Sequence, residues 1–485
     1  MRTCVVVLLA MSMFVSTATA ATITVKRDGT GDVPSVAMAL GAIRNGDTIV
    51  IGDSATYEED LTAGAVAGLA ASFTLRAAEG QTPTIRAANG MARLDPLGLP
   101  GTDYLGAVFF GCQGVLIEGI TFENQTTSVN MAGASSIVAL IDCSNITVRN
   151  CTVRGAGGMG IDYPAQNQSI LVIGMQTAPV NVLIEDCLIE ETNFGPLISK
   201  AQPNAPTDPS VTIRGCTVRN CEETGIQVVN GAYPESIGPM AAQGPGNLIE
   251  NNTIINCDGG IQLGGGYNVV RNCTVLASTA DGLHVSVDGT LGTRPVIGII
   301  ENSSFVGGKE QGMEIENGQV SLTGCIVAGN QEEGLWLHDS GIETIVTVDH
   351  CEFYHNALTA ASPYEVRVDV GTGEPMVLTI TNSNVVGRRG LYNGSINDPA
   401  NFDANALTAR YCNVFVDSEP FTNVISENNQ QVDPKFVNPS VDVETFTRDG
   451  FKLAEDSPVR TAGEGGTPIG FQGSPQTPVI EWSIY

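Results

Sequence analysis

The chain has 485 residues, 42% of them hydrophobic and only 15% charged, with a formal net charge of −29. A chain this acidic is a poor partner for nucleic acid or anionic membrane surfaces, which carry the same sign, so metal ions, cationic ligands and neutral polymers remain. The low charged fraction excludes a disordered acidic tail, and 56 glycines with few aromatics argue against a helical protein.

Residues 1–20, MRTCVVVLLAMSMFVSTATA, place Arg2 before an apolar run from Val5 and close on Ala18-Thr19-Ala20. That is the layout of a cleaved secretory signal. No later segment approaches the ~20 uninterrupted apolar residues of a membrane helix. The mature chain is expected to be secreted, periplasmic or held at the cell surface, monomeric, and without a membrane span.

Residues 21–60 contain a short amphipathic segment, Val36–Ile43, and then a strand-like GDTIVI. From Glu118 onward one phrase recurs: EGITF, RNCTV from Arg149, EDCLI from Glu185, RGCTV from Arg214 and ENNTI from Glu250. It continues as RNCTV from Arg271, ENSSF from Glu301, TGCIV from Thr323, DHCEF from Asp349 and TNSNV from Thr381. A constant phrase with variable spacers marks one structural unit stacked along an axis.

Each unit holds three strand-like pieces with period-2 alternation. The first precedes the phrase (Val182-Leu183-Ile184), the second comes after its marker position (Cys151-Thr152-Val153), and the third begins after a glycine (Gly225-Ile226-Gln227-Val228). The marker position holds Gly, Asn, Asp or His, types that tolerate φ > 0 at a sharp corner. These features predict an all-β fold: a right-handed single-stranded parallel β-helix of about ten or more coils, three short strands each. The expected layout is signal 1–20, N-terminal cap and first rung 21–60, β-helix 61–425, and C-terminal closing segment 426–485.

On these residues the chain resembles the secreted bacterial β-helix repeat proteins of the pectin-lyase-like fold. Its opening, TVKRDGTGDVPSVAMALGAIRNGDTIVI, and its closing stretch, VDPKFVNP to IGFQG, are similar to the two ends of such proteins. The resemblance implies that Val36–Ile43 covers the open end of the coil; it specifies no activity.

Cys4 lies in the signal, leaving 11 of the 12 cysteines. The column Cys151, Cys187, Cys216, Cys273, Cys325 and Cys351, with Asn252, Ser303 and Ser383 substituting, is expected to stack inside the coil as unpaired thiols. Strands ~4.8 Å apart are spaced slightly too widely for a disulfide. Cys112 with Cys143, and Cys221 with Cys257, are the pairs with another geometry.

A β-helix buries its inward residues, so function belongs outside. Aligned on its glycine, the third strand gives one outward column: Asp162, Gln227, Gln262, His284, Glu314, Trp336 and Arg367. A second column holds Ser286, Glu316, His338 and Asp369. Acids, imidazoles and an indole on one face suit general acid–base chemistry and sugar binding. Glu314, Glu316, His284, His338 and Arg367 are the candidate catalytic groups; Trp336, Gln227, Gln262 and Asp162 are the candidate substrate contacts. The carboxylates of Asp339 and Asp369 are candidate calcium ligands. Inserts at Pro196–Pro209, Gly231–Gly246 and Val287–Pro295 are placed to wall a groove over this face. The expected function is binding or degradation of an extracellular polysaccharide, by lysis or hydrolysis. The alternative is a non-catalytic surface or matrix protein.

Overall fold

The computed structural model describes residues 20–64, 68–87, 104–124, 135–155, 167–174, 179–200, 211–229, 246–286, 296–338, 343–359, 363–369, 375–395 and 402–473. The chain winds into a parallel β-helix with three strand columns, here called sheets 1, 2 and 3. Sheet 1 is a stack of 15 parallel strands from Thr22–Val25 to Ile425–Glu427. Sheets 2 and 3 run alongside, and the long strands Asn384–Asn393 and Asn413–Thr422 belong to both. No helix among the described residues is long and apolar enough to cross a membrane.

The repeated phrase is the corner between sheets 1 and 2. Its marker residues Asn150, Asp186, Asn251, Asn272, Asn302, His350 and Asn382 all have φ between 47° and 55°. Left-handed backbone at a non-glycine residue is tolerated best by Asn and Asp, whose short polar side chains bond locally. Asparagine ladders run through the same coils, as in Asn181 to Asn145 (3.0 Å) and Asn256 to Asn220 (2.8 Å).

Every one of the 11 described cysteines comes directly after such a left-handed residue, from Gly111 before Cys112 to Tyr411 before Cys412. The reason is visible in the hydrogen bonds. The buried thiol turns back to the carbonyl two residues earlier: Cys151 to Arg149 O at 3.3 Å, Cys187 to Glu185 O at 3.2 Å, Cys351 to Asp349 O at 3.4 Å. Ser303 and Ser383 make the same contact at 2.9 and 2.7 Å. The column therefore selects a small side chain carrying one donor. All 11 thiols are buried and unbridged, Cys112, Cys143, Cys221 and Cys257 included, and burial pushes Cys273 and Cys412 up to about 12.

The residue before the marker carries the outer charge of the corner, and it alternates: Glu118, Arg149, Glu185, Arg214, Glu250, Arg271. Neighbouring coils pair through it, at 2.8 Å for Arg149 with Glu118 and 2.7 Å for Arg271 with Glu250. On sheet 2 a second ladder runs Arg86–Glu123 at 3.0 Å and Arg154–Glu190–Arg219 at 2.5 Å each.

Helix α1, Val36–Ala42, buries Val36, Ala39 and Leu40 against the first coil. Ser35 is its N-cap, and the Glu59 carboxylate accepts Ala37 N at 2.7 Å, satisfying donors that a first helical turn leaves free. At the other end, the segment after the last strand does not simply plug the coil. It folds back along sheet 2, setting Phe436, Phe446, Phe451 and Phe471 on Leu276, Val306, Ile326, Ala328 and Tyr354. Arg448 donates to Ser303 O, Ser304 Oγ and Gly324 O at 2.7 to 3.0 Å, and Phe471 N donates to the buried Glu352 at 3.1 Å.

Candidate active site

Sheet 3 is positioned by a stack of glycines at the start of each strand: Gly195, Gly225, Gly260, Gly282, Gly312 and Gly334. A Cβ on Gly195 would stand 1.7 Å from Gly225 O, and one on Gly260 would stand 2.2 Å from Gly282 O. With these positions closed to side chains, the outward residues just beyond them hold strict register. Gln227 pairs with Gln262, Gln262 with His284, His284 with Glu314, Glu314 with Trp336, and Trp336 with Arg367. His338 pairs with Asp369 two positions further along.

Asp162 lies outside the described residues; in the described part of its coil Leu171, on the strand Asn167–Gly174, is in register with Leu197 of the next coil, which pairs with Gln227. Asp339 and most of the three long inserts also lie outside the described residues.

The centre of the face is a knot of imidazoles and carboxylates. His338 Nε2 lies 2.7 Å from Glu314 Oε1 and 3.4 Å from Glu316 Oε1. His284 Nε2 lies 3.6 Å from both Glu314 Oε2 and Glu316 Oε1. Extended strands alone would hold the two glutamates ~6.6 Å apart; here they lean together on the shared imidazoles. Burial disfavours a charged Glu314, but its bonds to His338 and Asp281 outweigh this and hold its pKa below the usual value. His338 is shifted upward: its own burial opposes the charge, and the Glu314 bond with the surrounding carboxylates overcomes it.

Asp281, which sequence reasoning missed, completes the knot from the corner just before Gly282. Burial and then the adjacent Glu314 carboxylate push it up to about 9. Its signal in the sequence was only its place: the residue immediately before a stack glycine, which in later coils is Gln311 and Glu333.

Trp336 is half-buried and is not a free-standing platform. The His338 ring stacks on it at 4.2 Å, and Arg367 Cζ sits 5.2 Å from its centre. Arg367 is itself buried, 3.1 Å from Glu333 and bonded to Asp369, so its guanidinium braces the face from within it. Asp369 is thereby an ion-pair partner of Arg367 and also adds its charge to those around His338. Gln227 donates to Gln262 at 2.6 Å, extending the polar strip by two coils.

Residues 101–237 match the family described as right handed beta helix region. No curated protein matches the chain in sequence. Among solved structures, the A-module of the mannuronan C-5 epimerase AlgE4 from Azotobacter vinelandii aligns over 82% of this chain and 89% of its own, at 15% identity and a TM-score of 0.44. A double mutant of the periplasmic alginate epimerase AlgG aligns over 80% and 77%, at 10% identity and 0.46. Pectate lyase Pel9A aligns over 94% and 96%, at 13% identity and 0.37. The chain has a right-handed parallel β-helix.

Proposed function

We propose that the sheet 3 face binds an extracellular carbohydrate polymer and that Glu314 with His338 exchanges protons with it. The observation that carries this reading is the convergence of two imidazoles on two carboxylates, beside an indole, on the open outer face of a rigid coil. A carboxylate and an imidazole 2.7 Å apart form a proton-transfer pair, and neighbouring strands of one sheet hold them without the entropy cost of a loop. Trp336, with Gln227 and Gln262 along the strip, supplies the apolar surface and amide bonds that sugar rings use. Glu316 and His284 complete the polar floor, and Arg367 fixes Trp336 from below. The signal-like residues 1–20 support export to where such polymers lie.

The test is a panel of neutral, acidic and amino-sugar polymers, read by ultraviolet absorbance for unsaturated ends and by reducing-end release. Turnover with unsaturated ends identifies a lyase, and reducing ends alone identify a hydrolase. Binding without turnover supports the non-catalytic alternative, and neither binding nor turnover on any polymer overturns the proposal.

A further inference from the structure

We propose that Asp281, His284 and Glu314 form a binding site for a divalent transition-metal ion, with Zn²⁺ as its reference ion. One ligand atom from each lies within 4.8 Å of the other two. Two of those residues present atoms that the protein leaves without a hydrogen bond. Asp281 is only 7% exposed, yet its Oδ1 is buried with no hydrogen bond. His284 Nε2 is likewise buried without one. Burying an unpaired acceptor beside a second carboxylate is costly unless a proton or a cation lies between them.

The spacing of His284 from Glu314 fits a cation. His284 Nε2 is 3.6 Å from Glu314 Oε2, too far for a hydrogen bond. Two ligands each ~2.1 Å from one zinc ion at a near-tetrahedral angle stand ~3.4 Å apart. The other oxygen of Glu314 is held by His338, so the carboxylate is already turned toward the site, as the outer partners of metal ligands commonly arrange. A depression of about 210 Å³, lined by Asp258, Gln262, Asp281 and His284 among others, opens onto two of the three residues and gives an ion entry and room for water. Arg367, the guanidinium beside Trp336, is occupied by Glu333 and Asp369. An imidazole donor among carboxylates suits zinc and its neighbours better than calcium, which takes oxygen ligands.

The experiment uses the full mature chain, stripped with chelator, desalted, and titrated calorimetrically with Zn²⁺ and separately with Ca²⁺; bound metal is counted after gel filtration. No saccharide is present, so the result does not depend on the function proposed above. The expected result is one Zn²⁺ per chain, bound at least tenfold tighter than Ca²⁺. Asp281→Asn and His284→Gln should each weaken Zn²⁺ binding by about 10- to 100-fold, with β-sheet circular dichroism unchanged. His355→Gln, outside the cluster, should leave it unchanged. Should Asp281→Asn fail to fold, His284→Gln and the visible spectrum of the Co²⁺-loaded wild type still decide. Absence of stoichiometric Zn²⁺, equal affinity for Ca²⁺, or Zn²⁺ binding indifferent to His284→Gln would overturn the proposal.

Discussion

Inside the coil, Asn356 Nδ2 donates to Glu365 Oε2 at 2.9 Å, and Asn356 N donates to the same oxygen at 3.1 Å. Asn330 in turn donates to Asn356 Oδ1 at 2.7 Å, so a fully buried carboxyl terminates an amide ladder. Burial raises Glu365 to about 8, against bonds from Asn356 that pull the other way. Its folded pKa therefore exceeds its unfolded value near 4.5, and its contribution to stability is full below pH ~4.5 and lost as pH rises to ~8. At about 1.4 kcal/mol per unit the change is a few kcal/mol. Denaturant midpoints of wild type and Glu365→Gln should diverge progressively between these pH values, the variant gaining relative to wild type. Parallel curves would mean that Glu365 is ionised in the native state.

The glycine stack gives a prediction about stability alone. Gly260→Ala forces a methyl to 2.2 Å from Gly282 O and 2.5 Å from Val275 Cγ1, neither of which can retreat from its strand. The loss should be on the order of 2 kcal/mol or more. Gly41→Ala, in helix α1 with nothing within 4 Å of the added Cβ, should be neutral or slightly stabilising. Thermal unfolding of the two variants side by side measures the contrast.

The corner cysteines should accept serine and reject larger apolar residues. Cys273 donates to Arg271 O at 3.5 Å and receives its neighbour Asn252 at 3.9 Å. Cys273→Ser keeps the donor, and its cost should stay within about 1 kcal/mol; Cys273→Val removes it and overfills the corner, at about 2 kcal/mol. Equal stability of the two variants would show that the column is selected for size alone.

For the face itself, Glu314→Gln should abolish the proton-transfer pair while keeping its shape. Turnover should fall by roughly 10²-fold or more with polymer binding retained. Trp336→Ala removes the apolar surface and should weaken binding by about 1–3 kcal/mol. Retained turnover in Glu314→Gln would move the chemistry away from this residue.

Much of this was readable because the coil repeats its local chemistry. A left-handed corner favours Asn, Asp or Gly and also takes His350 and Tyr411, and the next residue is most often a small donor, so DHCEF and RNCTV are one instruction in different letters. The stack glycines likewise exposed the column from Gln227 to Arg367. Asp281 was overlooked because it sits at the corner, outside the alternation that marks outward residues. Where the returning segment lands was also written in the chain, but only in register. The outer column of sheet 2 changes from Arg154, Glu190 and Arg219 to Ile255, Leu276, Val306 and Ala328. Without the strand pairing those residues are scattered singles.

That returning segment divides the coil into two mechanical regimes. In a stack of repeats each coil ordinarily touches only its neighbours, so ends can fray rung by rung. Residues 448–471 bond in turn to Ser303, Gly324, Asn382, Asn384 and Glu352, lacing several rungs to one strip of chain. Those rungs must open together or not at all. The coils before them are joined across their faces by ion-pair ladders and can open singly. Pulled or heated, the molecule should unwind from the helix α1 end toward a laced block, with the imidazole–carboxylate knot carried on the rungs where one regime gives way to the other.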